Sequence, residues 1–245
     1  SDRHARQRYT WNVPLLELLS SSQGVVSVEL RPPRAELDRS AGMDAWIDTY
    51  HSVTGLVRDN MPVFLTDSAV GAREEHNLRH LVINLGSDVP RDRVVPFLTS
   101  KHTMDFCLNY AERAWHEGFS SLVVLGGDKT VGAPRCVEHA WQLRKAISEH
   151  VPDLTLGGWA NPHANPKTQA GVLADGEFYG KFFLTQVVSH HDRARVDAFL
   201  DAINAEGKQA FIAKSRIARI ELVEVPKATQ MNQHRRENDR AFDPH

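Results

Sequence analysis

The chain has 245 residues, 41% hydrophobic and 24% charged, which suits a globular protein with a sizeable core in one barrel-sized domain or two small ones. Its formal net charge of -2 and pI near 6.7 create no field that would draw nucleic acid or an anionic membrane, so small-molecule chemistry is the expectation. Cys107 and Cys136 are the only cysteines and the 13 histidines lack ligand spacing, so neither a disulfide framework nor a metal site is expected and a reducing cytoplasm fits best.

The polar, basic residues Ser1 to Arg8 have no apolar stretch behind them, and no apolar run long enough to cross a bilayer occurs. Neither secretion nor membrane spanning is expected. Val13 to Leu19 reads as a lead-in helix carrying Leu15, Leu16, Leu18 and Leu19. The apolar run Val25 to Leu30 reads as a first strand, stopped by Pro32 and Pro33 because neither has an N–H to continue a ladder. Alternation puts Ser27 and Glu29 on one side and Val26, Val28 and Leu30 on the other. In a barrel Glu29 would face the mouth, where burial raises a carboxyl toward use as a general acid. The alternative at this point is a structural pairing with Arg31 or Arg34.

Met43 to Asp59 has helical apolar spacing, Pro62 to Thr66 reads as strand two, His76 to Leu85 as a helix and Val94 to Thr99 as strand three. Met104 to Glu117 is an amphipathic helix stopped at Gly118, and Leu122 to Leu125 is a buried strand delivering Gly126, Gly127 and Asp128. Val137 to Ile147 and Leu154 to Trp159 repeat the unit. Pro166 to Leu173 is a short helix, Phe182 to Gln186 a strand, and Asp192 to Ala205 a helix capped by His191 or Asp192.

Such alternation, with right-handed crossovers, gives either an open doubly wound sheet or a closed (β/α)8 barrel. Polar residues end six strands: Glu29, Thr66, Thr99, Asp128, Asn161 and Gln186. An open sheet would concentrate them at one switch point, so the pattern favours an α/β fold of the (β/α)8 TIM type. Gln209 to Ala213 reads as a seventh strand. Lys214 to Arg219 is too short for a helix, although Ile220 to Val225 again looks like a strand, so the C-terminal end is atypical or incomplete. The expected organisation is one domain over 1–230 and a charged arm over 231–245.

Five ordered fragments carry a resemblance: Val28-Glu29-Leu30-Arg31-Pro32-Pro33, Pro96-Phe97-Leu98-Thr99, Leu125-Gly126-Gly127-Asp128, Gly158-Trp159 through His163, and Leu184-Thr185-Gln186. Together, over roughly residues 25–205, they resemble the methylenetetrahydrofolate reductase family, flavin-containing (β/α)8 barrels that reduce 5,10-methylenetetrahydrofolate to 5-methyltetrahydrofolate. The resemblance implies that Glu29 is the general acid opening the five-membered ring, that Asp128 stabilises the iminium, and that Gln186 hydrogen-bonds the pterin edge. Without it, Asp128 reads equally as a helix N-cap and Gln186 as an amide bonded to backbone.

The departures bear on the cofactor. Where the family holds its flavin with an Arg before the Gly-Asp turn, a His in the third strand and a Lys before the Thr-Gln strand, this chain has Gly126, Phe97 and Asp175. Two cations or donors are gone and an anion is added, which argues against a standard flavin diphosphate site. Phe97 and Trp159 could wall a pterin or nicotinamide, or serve as core packing. The expectation is therefore a reductase taking hydride directly from NADH or NADPH, with Phe97 also at the folate and with Thr66, Thr99, Trp159, Asn161 and His163 toward the nicotinamide. A flavin-dependent reductase and a non-catalytic folate- or pterin-binding protein are the alternatives. No G-x-G-x-x-G loop is present from which to read the nicotinamide preference.

Overall fold

The computed structural model describes residues 15–20, 25–33, 37–66, 78, 82–83, 85–87, 89–174, 178–186 and 190–205. Six parallel strands form one sheet in sequential order: β1 (Val28–Leu30), β2 (Val63–Leu65), β3 (Val94–Thr99), β4 (Ser121–Leu125), β5 (Thr155–Ala160) and β6 (Phe182–Thr185). The described helices are α1 (Leu15–Ser20), α2 (Arg39–Arg58), α3 (Met104–His116), α4 (Ala140–His150), α5 (Pro166–Ala174) and α6 (Arg193–Ala205). None of these is long and apolar enough to cross a membrane.

Sequential order decides the architecture. Right-handed crossovers between neighbouring parallel strands send every connecting helix to the same face, so one face is helix-covered and the other must be filled by the strands themselves. The packing follows this division. On the helical side, Val53 and Val57 of α2 pack with Val63, Leu65 and Val94. Further round, Ala111, Leu143 and Ile147 pack with Leu98, Leu122, Val124 and Leu156, and Phe199 and Ile203 pack with Ala160. On the opposite face Phe64, Val95, Phe97, Val123 and Leu184 form a cluster of their own, closed by Leu15 and Leu19 of α1. That cluster joins residues from β2 to β6, a span of roughly 19 Å in a flat sheet at about 4.8 Å per strand, so the sheet is curled around it.

Two side chains on α2 and α3 show why these helices start where they do. Asp38 accepts from the Ala41 amide at 2.9 Å, and Thr103 accepts from the Phe106 amide at 3.3 Å, each satisfying an N–H that the first turn leaves without an intrahelical partner. Glycine at 157 serves close packing instead. A Cβ there would lie 2.4 Å from Cζ of Phe182, so only glycine lets that ring cross β5 and join the concave cluster.

Several expectations are corrected. β1 starts at Val28 rather than Val25, and Val26, expected to face the helices, precedes the strand and is 50% exposed. The helix expected from Val137 starts at Ala140, because 136–139 form bends in which Gln142 reaches back to the His139 amide. A 3-10 turn, His190–Asp192, leads into α6 where a simple cap was expected. Most of the helix expected over 76–85 lies outside the described residues, as do both strands expected after residue 206 and the arm over 231–245.

Candidate functional site

Strand register brings the predicted polar ends to one side. Glu29 is paired with Phe64, and Phe64 with Val95. Registered partners share a face, so Glu29 stands on the concave side with Phe64 and Val95, at the rim of the cluster that Phe97 helps to fill. The carboxyl is partly buried. Burial pushes its pKa above the ordinary value of 4.5, and the nearby Arg31 guanidinium opposes the shift only in part. Leu30, one residue on, packs toward α2, which fixes the direction in which Glu29 points.

Asp128 has the opposite environment. It is exposed on the loop after β4, and its Oδ1 accepts from the Thr130 amide at 2.7 Å, the Thr130 hydroxyl at 3.0 Å and the Val131 amide at 3.1 Å. Those donors, with Lys101 adding a weaker contribution, hold the carboxyl below the usual carboxylate range, so Asp128 is ionised at neutral pH. It caps a tight turn and not a helix, since α4 begins only at Ala140.

The other predicted positions divide by what remains available at each. Gln186 follows β6, where its amide extends the ladder to the Ala160 carbonyl at 3.0 Å and its side chain is exposed. Thr66 extends the ladder in the same way from β2, donating to the Leu30 carbonyl at 3.0 Å. Thr99 is buried at the end of β3, and Phe97 is 5% exposed, edge-on to Phe64 with ring centroids 6.2 Å apart. Phe97 therefore contributes chiefly to the concave core. Trp159 lies on the concave face through its pairing with Leu184 and keeps 37% of its surface exposed, so it offers the ring that Phe97 does not. Asn161 is committed to its turn: its Oδ1 accepts from the His163 amide at 2.9 Å while its own amide donates to Gln169. His163 Nδ1 lies 3.6 Å from Asp192 Oδ1, an arrangement that orients the imidazole at the β5 and β6 ends.

Three basic residues were not singled out from the sequence. Lys101, buried directly after β3, donates to the Val131 and Ala133 carbonyls, each at 2.7 Å. Arg135 donates to the Gly127 carbonyl, and its guanidinium carbon lies 2.9 Å from where a Cβ on Gly126 would stand. Its guanidinium thus fills the space that a side chain at Gly126 would enter. Arg144 of α4 is buried between β4 and Phe178, donating to the Phe178 carbonyl at 2.7 Å and the Val124 carbonyl at 3.1 Å, and burial lowers its pKa to about 10. All three satisfy backbone carbonyls distant in sequence, and no periodicity in the sequence marks a lysine or arginine for that task. Asp175, expected at the place of a family lysine, lies outside the described residues. No group of three or more metal-ligating side chains occurs among the described residues.

A partly buried carboxyl with a raised pKa and an exposed carboxylate with a lowered one thus occupy the carboxyl ends of β1 and β4. Such a pair can divide proton donation from charge stabilisation. No protein-family model and no curated protein matches the chain. Among solved structures, it is similar to a Clostridium thermocellum protein that binds two copies of 5-methyl-5,6,7,8-tetrahydrofolic acid, with 16% identity and a TM-score of 0.59 over 80% of this chain and 65% of that one. A chloride-inhibited dihydrodipicolinate synthase from Acinetobacter baumannii, complexed with pyruvate, aligns at 16% identity and a TM-score of 0.47 over 76% and 62% of the two chains. The chain spans slightly less than two thirds of the length of either structure. At these identities the first likeness establishes a shared α/β fold.

Proposed function

We propose that the chain binds a reduced folate at the carboxyl ends of its strands and reduces 5,10-methylenetetrahydrofolate to 5-methyltetrahydrofolate with NADH or NADPH, in the manner of the methylenetetrahydrofolate reductases. The carrying observation is the opposed pair of carboxyls, Glu29 raised by burial and Asp128 lowered by three hydrogen bonds. The 5-methyltetrahydrofolate bound by the similar Clostridium thermocellum protein supports the ligand class. In this reading the sheet belongs to a (β/α)8 barrel, and the protein works in the cytoplasm.

Glu29, protonated, donates to the ring nitrogen as the five-membered ring opens, and ionised Asp128 stabilises the iminium that results. Gln186 hydrogen-bonds the pterin edge, a role open to an amide that both donates and accepts. Hydride then passes from the nicotinamide to the methylene carbon. Trp159 has the exposed ring and His163 the polar edge to position a nicotinamide, with Thr66, Thr99 and Asn161 at the carboxyl ends of β2, β3 and β5.

A flavin diphosphate fits these residues poorly. Its oxygens need cationic donors or free amides. Lys101 and Arg135, basic residues at the ends of β3 and β4, are committed to backbone carbonyls. No step is therefore routed through flavin.

The test is NADH or NADPH oxidation followed in the near ultraviolet with purified full-length chain. Oxidation that depends on added methylenetetrahydrofolate and forms 5-methyltetrahydrofolate is expected. No oxidation, together with folate-dependent stabilisation of the fold, would replace the reductase with a non-catalytic folate-binding protein, the second reading that the similar structure favours. Neither effect would remove folate altogether.

A further inference from the structure

The two cysteines, 29 positions apart in sequence, meet in the fold. Cys107 lies in the first turn of α3, fully buried, with its thiol 3.8 Å from the Thr99 carbonyl. Cys136 is half-buried on the loop between β4 and α4, and its amide donates to the Ser100 carbonyl at 2.7 Å. Each cysteine is thus anchored to one of two consecutive carbonyls at the end of β3. Their thiols are neighbours, and both pack in the apolar cluster beneath α3 and α4.

We propose that Cys107 and Cys136 form a redox modification site, in which hydrogen peroxide or an organic hydroperoxide converts the adjacent thiols to an intrachain disulfide. The half-buried Cys136 meets the oxidant first. Its thiolate attacks one peroxide oxygen, the O–O bond breaks, Cys136 becomes a sulfenic acid, and the other oxygen leaves with a proton as water or alcohol. The Cys107 sulfur then attacks the sulfenic sulfur, and the departing hydroxide takes the Cys107 proton to leave as water. Two S–H bonds are lost, one S–S bond is formed, and two electrons pass to the peroxide. Cys107 is itself shielded from oxidant and lies beside the sulfenic acid, so it is left as a reduced thiol to capture that acid within the chain.

The bond ties the loop carrying Asp128 to the first turn of α3, close to where Lys101 already holds that loop at the Val131 and Ala133 carbonyls. Burial pushes the Cys136 thiol up, so oxidation is slow at neutral pH and accelerates as pH rises.

With only two cysteines in the chain, the outcome can be counted. Full-length reduced protein at low concentration is treated with hydrogen peroxide, quenched and denatured. Intact mass is expected to fall by about 2 Da, both thiols to become unreactive to a thiol reagent, and dithiothreitol to restore both. In Cys136→Ser, Cys107 is expected to stay titratable after the same treatment. Overturning results are a mass gain of about 16 or 32 Da in the native sequence, a disulfide-linked dimer as the main product, two thiols still reactive, or ready oxidation of Cys107 in Cys136→Ser. None of these readouts depends on folate.

Discussion

Replacing Glu29 with glutamine separates the carboxyl's proton from its shape. Burial raises the Glu29 pKa above 4.5 in the folded state, with Arg31 pulling it partly back. Between the unfolded value and the raised folded value the native state binds more protons than the unfolded one, so stability falls as pH rises through that window. Below it both states are protonated and Glu29 contributes nothing. Above it the folded state carries the full cost of an ionised, partly buried carboxylate, about 1.4 kcal/mol for each unit of elevation. Solvent reaches this strand end, so a gain of about 1 kcal/mol is expected for Glu29→Gln at pH 8, or roughly 2–4 °C in Tm, with the two proteins converging near pH 4. The measurement is urea or thermal unfolding of both proteins across pH 4–8, because the difference between them cancels every other titrating group. Turnover should move the other way, falling about 10²–10⁴-fold with folate binding retained, and the alkaline limb of the native pH–rate profile should vanish with the carboxyl. A wild type more stable than Glu29→Gln at pH 8, or a stability difference independent of pH, would refute the buried-acid argument; unchanged turnover would refute the catalytic one.

Two packing predictions test the scaffold that sets this geometry. Gly157→Ala puts a methyl 2.4 Å from Cζ of Phe182 and should cost about 1–3 kcal/mol in urea unfolding, much of it recovered when Phe182→Leu is added; equal losses in the single and double variants would show that the ring is not the obstacle. Arg144→Met keeps the aliphatic stem but leaves the Val124 and Phe178 carbonyls without their donor, and should cost about 2–4 kcal/mol by the same assay, whereas a variant within 0.5 kcal/mol (about the noise of a surface change) would mean that those carbonyls find other partners.

The parts of the fold legible in the sequence are those set by local periodicity. β3 spans Val94–Thr99 as read, since its apolar residues and their Thr terminus occupy a continuous buried run, and α3 ends at His116, one residue short of the expected end at Glu117. Sequential strand order was legible only as the preferred alternative to a doubly wound sheet, through polar residues at many strand ends. Less legible was which polar end is free. Asn161 and Thr99 share the position of Gln186 at a strand end, yet Asn161 is drawn into its own turn and Thr99 is buried, and both facts depend on loops that carry no period. Lys101, Arg135 and Arg144 are hidden for the same reason: each holds a carbonyl eight or more residues away, a partner invisible until the chain is folded.

What distinguishes the two carboxyls is backbone context more than residue type. Glu29 is held on a three-residue strand by ladder pairing to Phe64 and stopped by two prolines, so it cannot turn toward amides of its own loop and its environment is set by the cluster beside it. Asp128 follows Gly127, whose φ of 71° turns the chain so that the next amides converge on its Oδ1. A strand end without local donors raises a carboxyl, and a turn rich in them lowers one. The acid and the carboxylate are therefore consequences of where β1 and β4 stop. In the proposed mechanism the loop held by Lys101 and Arg135 therefore matters although neither cation needs to touch a ligand: it fixes the turn whose donors hold the Asp128 carboxyl low, while burial raises that of Glu29.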